Sequence, residues 1–445
     1  MAVQMSALRH RNGYDRRTGP VLEKVRAQPG VRMKVIVVGA GITGVSSAEW
    51  LRRDGHDVTL LDPLMPGDAG QTSFGNAGLI ARTSVMPVAT PALVRKAASM
   101  VFDPGAPLFL RWSYLPRLLP WLLPFLGNAR LPRLREIAES LSALTFDSTE
   151  QHMALARGTA AESFIQIGEY VTLYRDPGDY HGDALWREMR ARHNLAPEEL
   201  DRAALVDRDP HLGPDYTFGT LFSDFGWIVD PGRYVAALFD HYRQQGGAFQ
   251  QGRVVDIAPG EAPSVTLDGG EVLSADRIVI CAGVWSGAMA RRLGTGMRLE
   301  AERGYPLSMF APSITPPGPY MVTDAKFVIT PMMGFLRAAG VVEFAGIDAA
   351  PSAAPPALIE KSLRRVYPKL EFDRCDTWMG RRPTTPDSLP ALGSDARAPN
   401  VIQAYGGQHV GLTIGPKLGR TVAALVSERG VNLDLAPYAP GRFGR

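Results

Sequence analysis

The sequence predicts an α/β fold with a parallel sheet, on three observations. First, residues 33–44 contain a short apolar run that leads directly into Gly39, Gly41 and Gly44 and then into a helical pattern. Second, a further strand pattern follows and ends at the acidic residue Asp62. Third, two later segments each consist of a strand pattern followed by glycine. A strand, a glycine-rich turn and a helix in this order indicate a Rossmann-like domain.

The glycine segment has the features of a site for a dinucleotide pyrophosphate. Gly39 permits the tight turn, and Gly41 lets the main chain approach the phosphates. Gly44 lets the following helix pack closely against the strand. Ile42 and Thr43 stand at the start of that helix, where unpaired N–H groups and the positive end of the helix dipole attract an anion. An ordinary strand, turn and helix is the alternative.

Asp62 indicates which dinucleotide binds there. Its carboxylate ends the second strand, where an acidic side chain accepts hydrogen bonds from the adenosine ribose. A carboxylate repels a 2′-phosphate, so FAD or NAD is favoured over NADP. The small residues of 67–78 follow, and such a loop can run alongside an extended cofactor, its hydroxyl and N–H groups serving phosphate and ribityl oxygens. A flexible surface loop is the alternative.

Two distant segments favour the cofactor interpretation of that loop. Residues 277–280 form an apolar strand pattern that leads into Cys281-Ala282-Gly283, and residues 401–404 lead into the glycine-rich stretch 405–413. Both put small residues at the end of a strand, where ligands of α/β sheets bind. An NAD enzyme would instead continue with further alternation of strands and helices after Asp62.

The composition excludes several functional classes. A chain of 445 residues can form two or three domains, and its net charge of +3 is small for that length. No basic stripe with interleaved aromatic residues is present, so nucleic acid is not an expected partner. Cys281 and Cys375 are the only cysteines, which excludes a disulfide framework or a cysteine-rich zinc site and favours a reducing cytoplasm. No metal site is predicted. The polar, basic residues 1–32 predict a disordered extension.

The ordered motifs resemble the FAD-dependent amine oxidoreductases of the D-amino acid oxidase superfamily, most closely its bacterial D-amino acid dehydrogenase branch (small subunit type). The resemblance extends from Met33 to the C-terminal helix. It depends on the glycine fingerprint and on four further motifs, which are residues 72–78, 275–283, 378–387 and 405–413. It implies a Rossmann-like FAD-binding domain interleaved with an α+β substrate domain.

The resemblance implies domains that are discontinuous in sequence. The FAD-binding domain is expected from residues 33–90, 214–300 and 375–432, the substrate domain from 91–213 and 301–374, and a C-terminal tail from 433–445. Residues 134–168 predict one long helix and residues 182–194 another, whereas 326–330 and 334–337 predict strands. We therefore expect a β-rich floor beneath the flavin.

The same resemblance implies which residues bind FAD. They lie in the fingerprint, at the end of the second strand, in the small-residue loop, and in the later strand-to-glycine segments. They are Gly39, Gly41, Ile42, Thr43, Gly44, Asp62, Thr72, Ser73, Asn76, Ala77, Gly78, Val254, Ala282, Gly283, Trp285, Gly406, Gly407, Gly411, Leu412 and Thr413.

Three residues are implied near the substrate. Arg382 is the arginine of a Gly-x-Arg-Pro motif that in the family holds the substrate carboxylate, and the planar guanidinium fork suits a carboxylate. The alternative is a structural arginine paired with Asp387 or another carboxylate. Tyr305 and His409 complete the candidate set. Where relatives carry a histidine in the last glycine-rich loop, this chain has Gly407.

The implied reaction is oxidation of the C–N bond of an amino acid by hydride transfer to flavin, giving an imino or keto acid. A D-amino acid is expected, with D-proline and hydroxy-D-proline as family-level examples. The alternatives are an oxidase or demethylase of an N-methyl amino acid such as sarcosine, and a non-catalytic flavoprotein subunit. Stereochemistry and oligomeric state stay open.

The electron acceptor is expected to be a quinone or oxygen. The apolar segment 108–126 is too short and too interrupted by arginine and proline to span a membrane. It suits either peripheral contact with the inner face of the cell membrane or a buried connector over the substrate domain.

Overall fold

The computed structural model describes residues 31–103 and 105–444. The extension predicted over residues 1–32 lies outside this range except for its last two residues. The strands of the described part are β1 Lys34–Val38, β2 Asp57–Asp62, β3 Leu79–Ile80, β4 Leu108–Leu110, β5 Ile165–Tyr174, β6 Glu198–Asp201, β7 Phe218–Ile228, β8 Ala248–Gln251, β9 Val254–Ala258, β10 Ser264–Leu267, β11 Val272–Ser274, β12 Arg277–Ile280, β13 Glu300–Phe310, β14 Tyr320–Val322, β15 Phe327–Pro331, β16 Phe335–Phe344, β17 Arg374–Thr377, β18 Gly380–Thr384, β19 Ala391–Asp395 and β20 Ala398–Tyr405.

The helices of the same part vary from a single turn to more than four turns. They are α1 Ile42–Arg53, α2 Pro91–Phe102, α3 Leu115–Gly127, α4 Leu131–Thr145, α5 Ser148–Ala156, α6 Pro177–His181, α7 Ala184–Arg192, α8 Arg202–Arg208, α9 Pro231–Gln244, α10 Ser286–Arg292, α11 Ala354–Val366 and α12 Gly411–Val426.

Six strands form the first sheet, in the order β19, β20, β12, β1, β2, β8. All neighbouring strands are parallel except β19, which is antiparallel to β20. The four residues from Val35 to Val38 are almost completely buried, as expected of a parallel strand covered on both faces. The predicted order of strand, helix and strand around the glycine fingerprint is confirmed by β1, α1 and β2.

Helices α1 and α12 pack directly against each other beside this sheet, and two glycines permit the close approach. A Cβ at Gly419 would lie 2.6 Å from the carbonyl carbon of Ser46, and one at Gly415 would lie 3.0 Å from the side chain of Ile42. The start of the glycine-fingerprint helix is therefore in contact with the C-terminal helix.

The second large sheet has eleven strands, and its main path runs β17, β13, β16, β15, β14, β5, β7, β3. Strand β18 also pairs with β13 and puts Arg382 directly opposite Glu302. The register of β13 against β16 shifts by one residue near Val341, which has a positive φ of 50°. The strands predicted over 326–330 and 334–337 are confirmed by β15 and β16.

The helix expected over 182–194 is confirmed by α7, but the single long helix expected over 134–168 is wrong. The chain instead forms α4 and α5, and then strand β5 from Ile165. Asp147 leaves helical geometry between the two helices, and Gly158 has a φ of +72° after the second. The segment after Ile165 is rich in β-branched and aromatic residues, and its pairing with β7 determines its conformation.

The apolar segment 108–126 forms β4, a 3₁₀ turn and α3. Leu118 and Trp121 are buried, and the Trp121 Nε1 donates to the Thr384 carbonyl at 2.9 Å. On the opposite side, Leu119 and Leu123 are exposed. Within residues 31–103 and 105–444, no helix is long and apolar enough to cross a membrane.

Candidate active site

The fingerprint glycines lie where a side chain could not fit or would block a ligand. A Cβ at Gly39, which has a φ of +100°, would lie 2.5 Å from the Cys281 carbonyl oxygen, and one at Gly44 would lie 1.7 Å from the Gly39 oxygen. A Cβ at Gly41 would meet only the Ser73 hydroxyl, at 3.4 Å. Gly39 and Gly44 therefore serve packing, whereas Gly41 borders open space.

The N-terminus of α1 has free donors beside that space. The Ile42 N–H donates to the Ser73 hydroxyl at 3.1 Å, and no side chain caps the helix. The N–H groups of Thr43 and Gly44 donate to no other described residue. Unpaired N–H groups at a helix start, next to a glycine, form an anion site that fits a pyrophosphate.

Asp62 is hydrogen-bonded to the glycine turn between β1 and α1. Its Oδ2 accepts from the Ala40 N–H at 2.7 Å, and its Oδ1 accepts from the Leu64 N–H at 2.9 Å. Burial raises the pKa of the Asp62 carboxyl above its ordinary value, although these two hydrogen bonds oppose the shift. Each carboxylate oxygen keeps a lone pair for a further donor, so the ribose role stays a prediction.

Residues 72–78 are hydrogen-bonded to the second large sheet. The Thr72 hydroxyl donates to the Arg381 carbonyl at 3.0 Å, and the Thr330 hydroxyl of β15 donates to the Ala77 carbonyl at 2.7 Å. Asn76 Oδ1 accepts from the Gly78 N–H at 2.9 Å. Gly78 has a φ of +79°, a conformation that favours glycine. The small-residue loop is therefore an ordered segment held by hydrogen bonds, not a flexible surface loop.

Four further predicted cofactor residues lie near strand ends of the first sheet and of a three-stranded sheet formed by β9, β10 and β11. Val254 is the first residue of β9, and Ala282 and Gly283 follow β12. Trp285 lies in the next turn, with 40% of its surface exposed.

The last glycine-rich loop leads into α12. Gly406 has a φ of +88°, and a Cβ at Gly407 would lie 2.8 Å from the Gly411 Cα. The Thr413 hydroxyl accepts from the Ala81 N–H at 3.0 Å, which ties the start of α12 to the chain after residues 72–78. The Leu412 carbonyl lies 2.9 Å from Nε2 of His152, which is fully buried.

Arg382 lies on β18 and pairs with Glu302 of β13. Its Nη1 donates to Glu302 Oε1 at 2.9 Å and to the Val341 carbonyl at 3.1 Å. Gly304 makes room for the guanidinium, because a Cβ there would lie 2.3 Å from Nη2. Nε and Nη2 donate to no other described residue, and 20% of the Arg382 side chain is exposed. One edge of the fork is therefore free to bind a carboxylate.

The other predicted partner of Arg382 is engaged elsewhere. Asp387 is buried and accepts two hydrogen bonds from Arg442, at 2.7 and 2.9 Å. Of the alternatives that the sequence left open, the ion pair with another carboxylate is the one that forms, and that carboxylate is Glu302. The pair does not engage the whole guanidinium, so it does not prevent Arg382 from binding a substrate.

His409 is near this ion pair. Its ring keeps accessible surface, yet the surrounding protein desolvates it and lowers its pKa below the ordinary value. The Glu302 carboxylate opposes that shift, and the Arg382 guanidinium adds to it. His409 is therefore exposed to solvent close to the ion pair, and its ring is neutral at neutral pH.

Tyr305 lies elsewhere. Its hydroxyl donates to Glu343 Oε2 at 2.5 Å and accepts from the Ser352 N–H at 3.1 Å, while Arg303 lies 3.1 Å from the same Glu343 oxygen. Successive side chains of a strand alternate between its faces, so Arg303 and Tyr305 face away from Glu302. Burial and the Glu343 carboxylate raise the pKa of Tyr305. The structure does not bring its hydroxyl together with Arg382.

The comparison with protein families identifies the chain. The sequence profile of the family described as "DAO: FAD dependent oxidoreductase" matches residues 34–425. The chain belongs to this family. The predicted family and the predicted cofactor, FAD, are thereby confirmed, and the chain is an FAD-dependent oxidoreductase. The anion site at the start of α1 fits the pyrophosphate of FAD.

Curated relatives align with nearly the whole chain. A D-amino-acid oxidase of Bradyrhizobium diazoefficiens is 35% identical over 416 residues, which are 92% of this chain and 98% of that relative. A D-amino acid dehydrogenase of Sinorhizobium medicae is 29% identical over 93% of this chain and its own full length.

Solved structures of other enzymes share this fold. Glycine oxidase from Geobacillus kaustophilus superimposes with a TM-score of 0.69 at 19% identity, covering 92% of this chain and 99% of its own. L-proline dehydrogenase from P. horikoshii superimposes with a TM-score of 0.71 at 16% identity, covering 93% of this chain and 98% of its own. These matches establish the fold, and the predicted α/β fold class is confirmed.

Sequence reasoning missed three residues of this DAO-family site. Glu302 and Gly304 belong to no local motif, and the register between β13 and β18 brings them to Arg382. Strand alternation puts them on one face and Tyr305 on the other. Arg337 of β16, whose Nη1 donates to the carbonyl oxygens of Phe74 and Asn76, belongs to no local motif, and its position depends on the register between β13 and β16. Within the described residues, no group of three or more His, Cys, Asp or Glu side chains could hold a metal ion.

Proposed function

We propose that the protein oxidises the C–N bond of an α-amino acid, with D-amino acids as the substrate class, and that Arg382 binds the substrate carboxylate. The observation that carries the proposal is the free edge of the Arg382 guanidinium close to the exposed, neutral ring of His409. A fork that presents Nε and Nη2 together matches the two oxygens of a carboxylate. The names of the curated relatives, D-amino-acid oxidase and D-amino acid dehydrogenase, support the substrate class.

Glu302 and Gly304 make Arg382 a defined anchor. The ion pair and the Val341 carbonyl hold Nη1, so the guanidinium has little freedom to rotate. The bare Cα of Gly304 lets the guanidinium lie against β13. Holding a substrate group in one orientation reduces the entropy that must be lost on reaching the transition state.

FAD supplies the acceptor for the two electrons and the hydrogen that leave the substrate as hydride. We propose that the free N–H groups of Thr43 and Gly44 bind its pyrophosphate, and that Asp62 binds its ribose. The ordered residues 72–78 and the start of α12 then flank the rest of the cofactor. The amine must be unprotonated before its C–N bond is oxidised. The ring of His409, whose pKa is lowered by desolvation, is itself neutral at neutral pH.

The proposal has two forms, which differ in the molecule that reoxidises the reduced flavin: oxygen or a membrane quinone. Oxygen is favoured by the relative named D-amino-acid oxidase, which is 35% identical. A membrane quinone is favoured by the outer face of α3. There Leu119, Leu123 and Leu126 are 42%, 63% and 36% exposed at helical spacing. Arg111 and Arg117 are exposed beside them.

We propose that this outer face of α3 contacts the surface of an anionic membrane. Residues 105–135 contain five arginines and no acidic residue. An apolar ridge bordered by arginine is typical of a helix that lies in the membrane interface. The inner face is fixed to the site, because Trp121 bonds to the Thr384 carbonyl and Asn128 to that of Pro386.

The substrate class is tested by mixing the FAD-loaded protein without oxygen with D-, L- and N-methyl amino acids and following the loss of flavin absorbance. Bleaching by D-amino acids, with a keto acid or cyclic imine as product, is the expected result. Bleaching only by sarcosine, with formaldehyde released, would replace the proposal by a demethylase. Adding oxygen or a quinone analogue to the reduced protein then identifies the faster acceptor.

A further inference from the structure

Arg337 of β16 is a buried cation that the proposed reaction does not use. Only 5% of its surface is exposed. Its Nη1 donates to the carbonyl oxygens of Phe74 and Asn76, at 3.0 and 2.8 Å, and its Nε lies 3.4 Å from the hydroxyl of Ser308, its cross-strand neighbour on β13. The guanidinium therefore holds the main chain of residues 72–78 from the side of the second sheet.

This cation has no carboxylate partner among the described residues. Burial lowers the pKa of the Arg337 guanidinium to about 10, and the distant charge of Asp230 only partly opposes that shift. Arg337 is still charged at neutral pH. Nη2 donates to no described residue and is not fully enclosed by protein. A buried charge without a counter-ion is costly. Such a charge is favourable where a bound group is negative or becomes negative.

We infer that Arg337 is a positioning residue for the flavin. Arg337 fixes the main chain of residues 72–78, and its charge favours the reduced, more negative form of FAD. The inference rests on the proposed path of FAD along that loop. Reduction adds two electrons and at least one proton to the flavin, so a nearby uncompensated cation stabilises the product of reduction over the oxidised form. The carbonyls of Phe74 and Asn76 only partly offset that charge.

Thr330 separates the two effects of Arg337. It also holds the loop, through its hydroxyl bond to the Ala77 carbonyl at 2.7 Å, but it carries no charge. Thr330→Val therefore loosens the loop and leaves the electrostatics unchanged. Ser308→Asp does the opposite, because it puts a carboxylate beside Arg337 and leaves the guanidinium and its bonds to the loop in the protein.

The test is the two-electron midpoint potential of bound FAD, measured by equilibration with reference dyes and without substrate, together with the dissociation constant of FAD. We expect Arg337→Gln and Ser308→Asp to disfavour reduction at least tenfold, which is about 30 mV for two electrons. For Arg337→Lys, we expect the equilibrium constant for reduction of bound FAD to stay within threefold of that of the unaltered protein. Thr330→Val should weaken FAD binding with the potential unchanged.

The outcomes separate the inference from the proposed function. An unchanged potential in Ser308→Asp, which keeps the loop bonds even if Arg337→Gln does not fold, would overturn the electrostatic role. An equal shift in Thr330→Val would assign the effect to loop geometry and also overturn it. If no variant changes the potential or FAD binding, the proposed cofactor path is wrong as well. An incorrect substrate class would leave all these results unaffected.

Discussion

Arg382 of β18 and Glu302 of β13 form an ion pair of 2.9 Å between directly opposite residues of neighbouring strands. Glu302 is almost completely buried, and its second oxygen lies 3.3 Å from the Thr384 hydroxyl. The pair gives Arg382 a fixed orientation and partly neutralises it. A substrate carboxylate would therefore bind mainly through the geometry of the free fork, and less through net charge.

Replacing Arg382 tests the anchor. Arg382→Met should keep bound FAD and slow flavin reduction at low substrate by at least a hundredfold, about 2.7 kcal/mol of transition-state binding. Because the variant leaves the Glu302 carboxylate buried without its partner, the double variant with Glu302→Gln is the cleaner comparison. Rapid-mixing kinetics without oxygen measure the rate.

Arg381 provides the matched control for that experiment. It is the neighbouring arginine, and its Nε donates to the Ile347 carbonyl at 2.7 Å. In Arg381→Met, the rate of flavin reduction at low substrate should stay within threefold of that of the unaltered protein. Equal losses in the two variants would contradict the specific role of Arg382.

Gly304 tests whether the position of the guanidinium matters. Gly304→Ala would put a Cβ 2.3 Å from Arg382 Nη2, so the guanidinium must move. Small displacements of a positioning group cost up to about a hundredfold in rate. We expect a loss of more than tenfold in kcat/KM with FAD retained. Gly269→Ala, where a Cβ would meet nothing within 4 Å, is the control and should have no effect.

His152 makes the stability depend on pH. It is fully buried between the Tyr234 hydroxyl and the Leu412 carbonyl, and burial lowers its pKa to about 4 from 6.5. The folded state thus resists protonation, so the contribution is present above pH 6.5 and is lost as the pH falls towards 4. Between pH 7 and pH 5 the loss is about 2 kcal/mol.

Urea unfolding at the two pH values measures this contribution. His152→Gln keeps a donor and an acceptor but does not titrate. When the pH is lowered from 7 to 5, the free energy of unfolding of this variant should fall by about 2 kcal/mol less than that of the unaltered protein. Comparing the two proteins removes the effect of other titrating groups. The same pH dependence in both would show that His152 is not the group responsible.

The outer face of α3 predicts binding to anionic vesicles. Leu119→Ser combined with Leu123→Ser should release the protein from vesicles containing anionic lipid, because these side chains are the most exposed of its apolar ridge. Val272→Ser removes an apolar side chain that is 60% exposed elsewhere and should leave binding unchanged. Flotation of vesicles measures both. Equal flotation of the two variants would contradict the assignment of this face.

The features that the sequence predicts best are local. The fingerprint glycines, α1 and the end of β2 at Asp62 follow from short-range pattern, because each glycine meets a specific steric limit. The long helix over 134–168 was wrong because pairing between β5 and β7, not helical periodicity, determines the conformation after Ile165. The domain boundaries stay a prediction.

The site itself is only partly local. Arg382 stands out through its motif, but its partner Glu302 is 80 positions away in sequence and meets it through the register of two strands. Arg337 is likewise recognised only when Phe74 and Asn76 are brought to it. Tyr305 shows that proximity in sequence does not place a residue in the site. It directly follows Gly304, but its side chain is on the opposite face of the strand.

The most direct test of the carboxylate anchor compares a D-amino acid that bleaches the flavin with its own carboxamide. The amide keeps the amine, the Cα–H bond and the side chain. It replaces one carboxylate oxygen by an NH2 group, which cannot accept a hydrogen bond from the Arg382 fork, and it carries no negative charge. We expect the amide to reduce flavin at least a hundredfold more slowly at low concentration, and Arg382→Met to abolish that difference. Equal rates for acid and amide in the unaltered protein would contradict the proposal that Arg382 binds the substrate carboxylate.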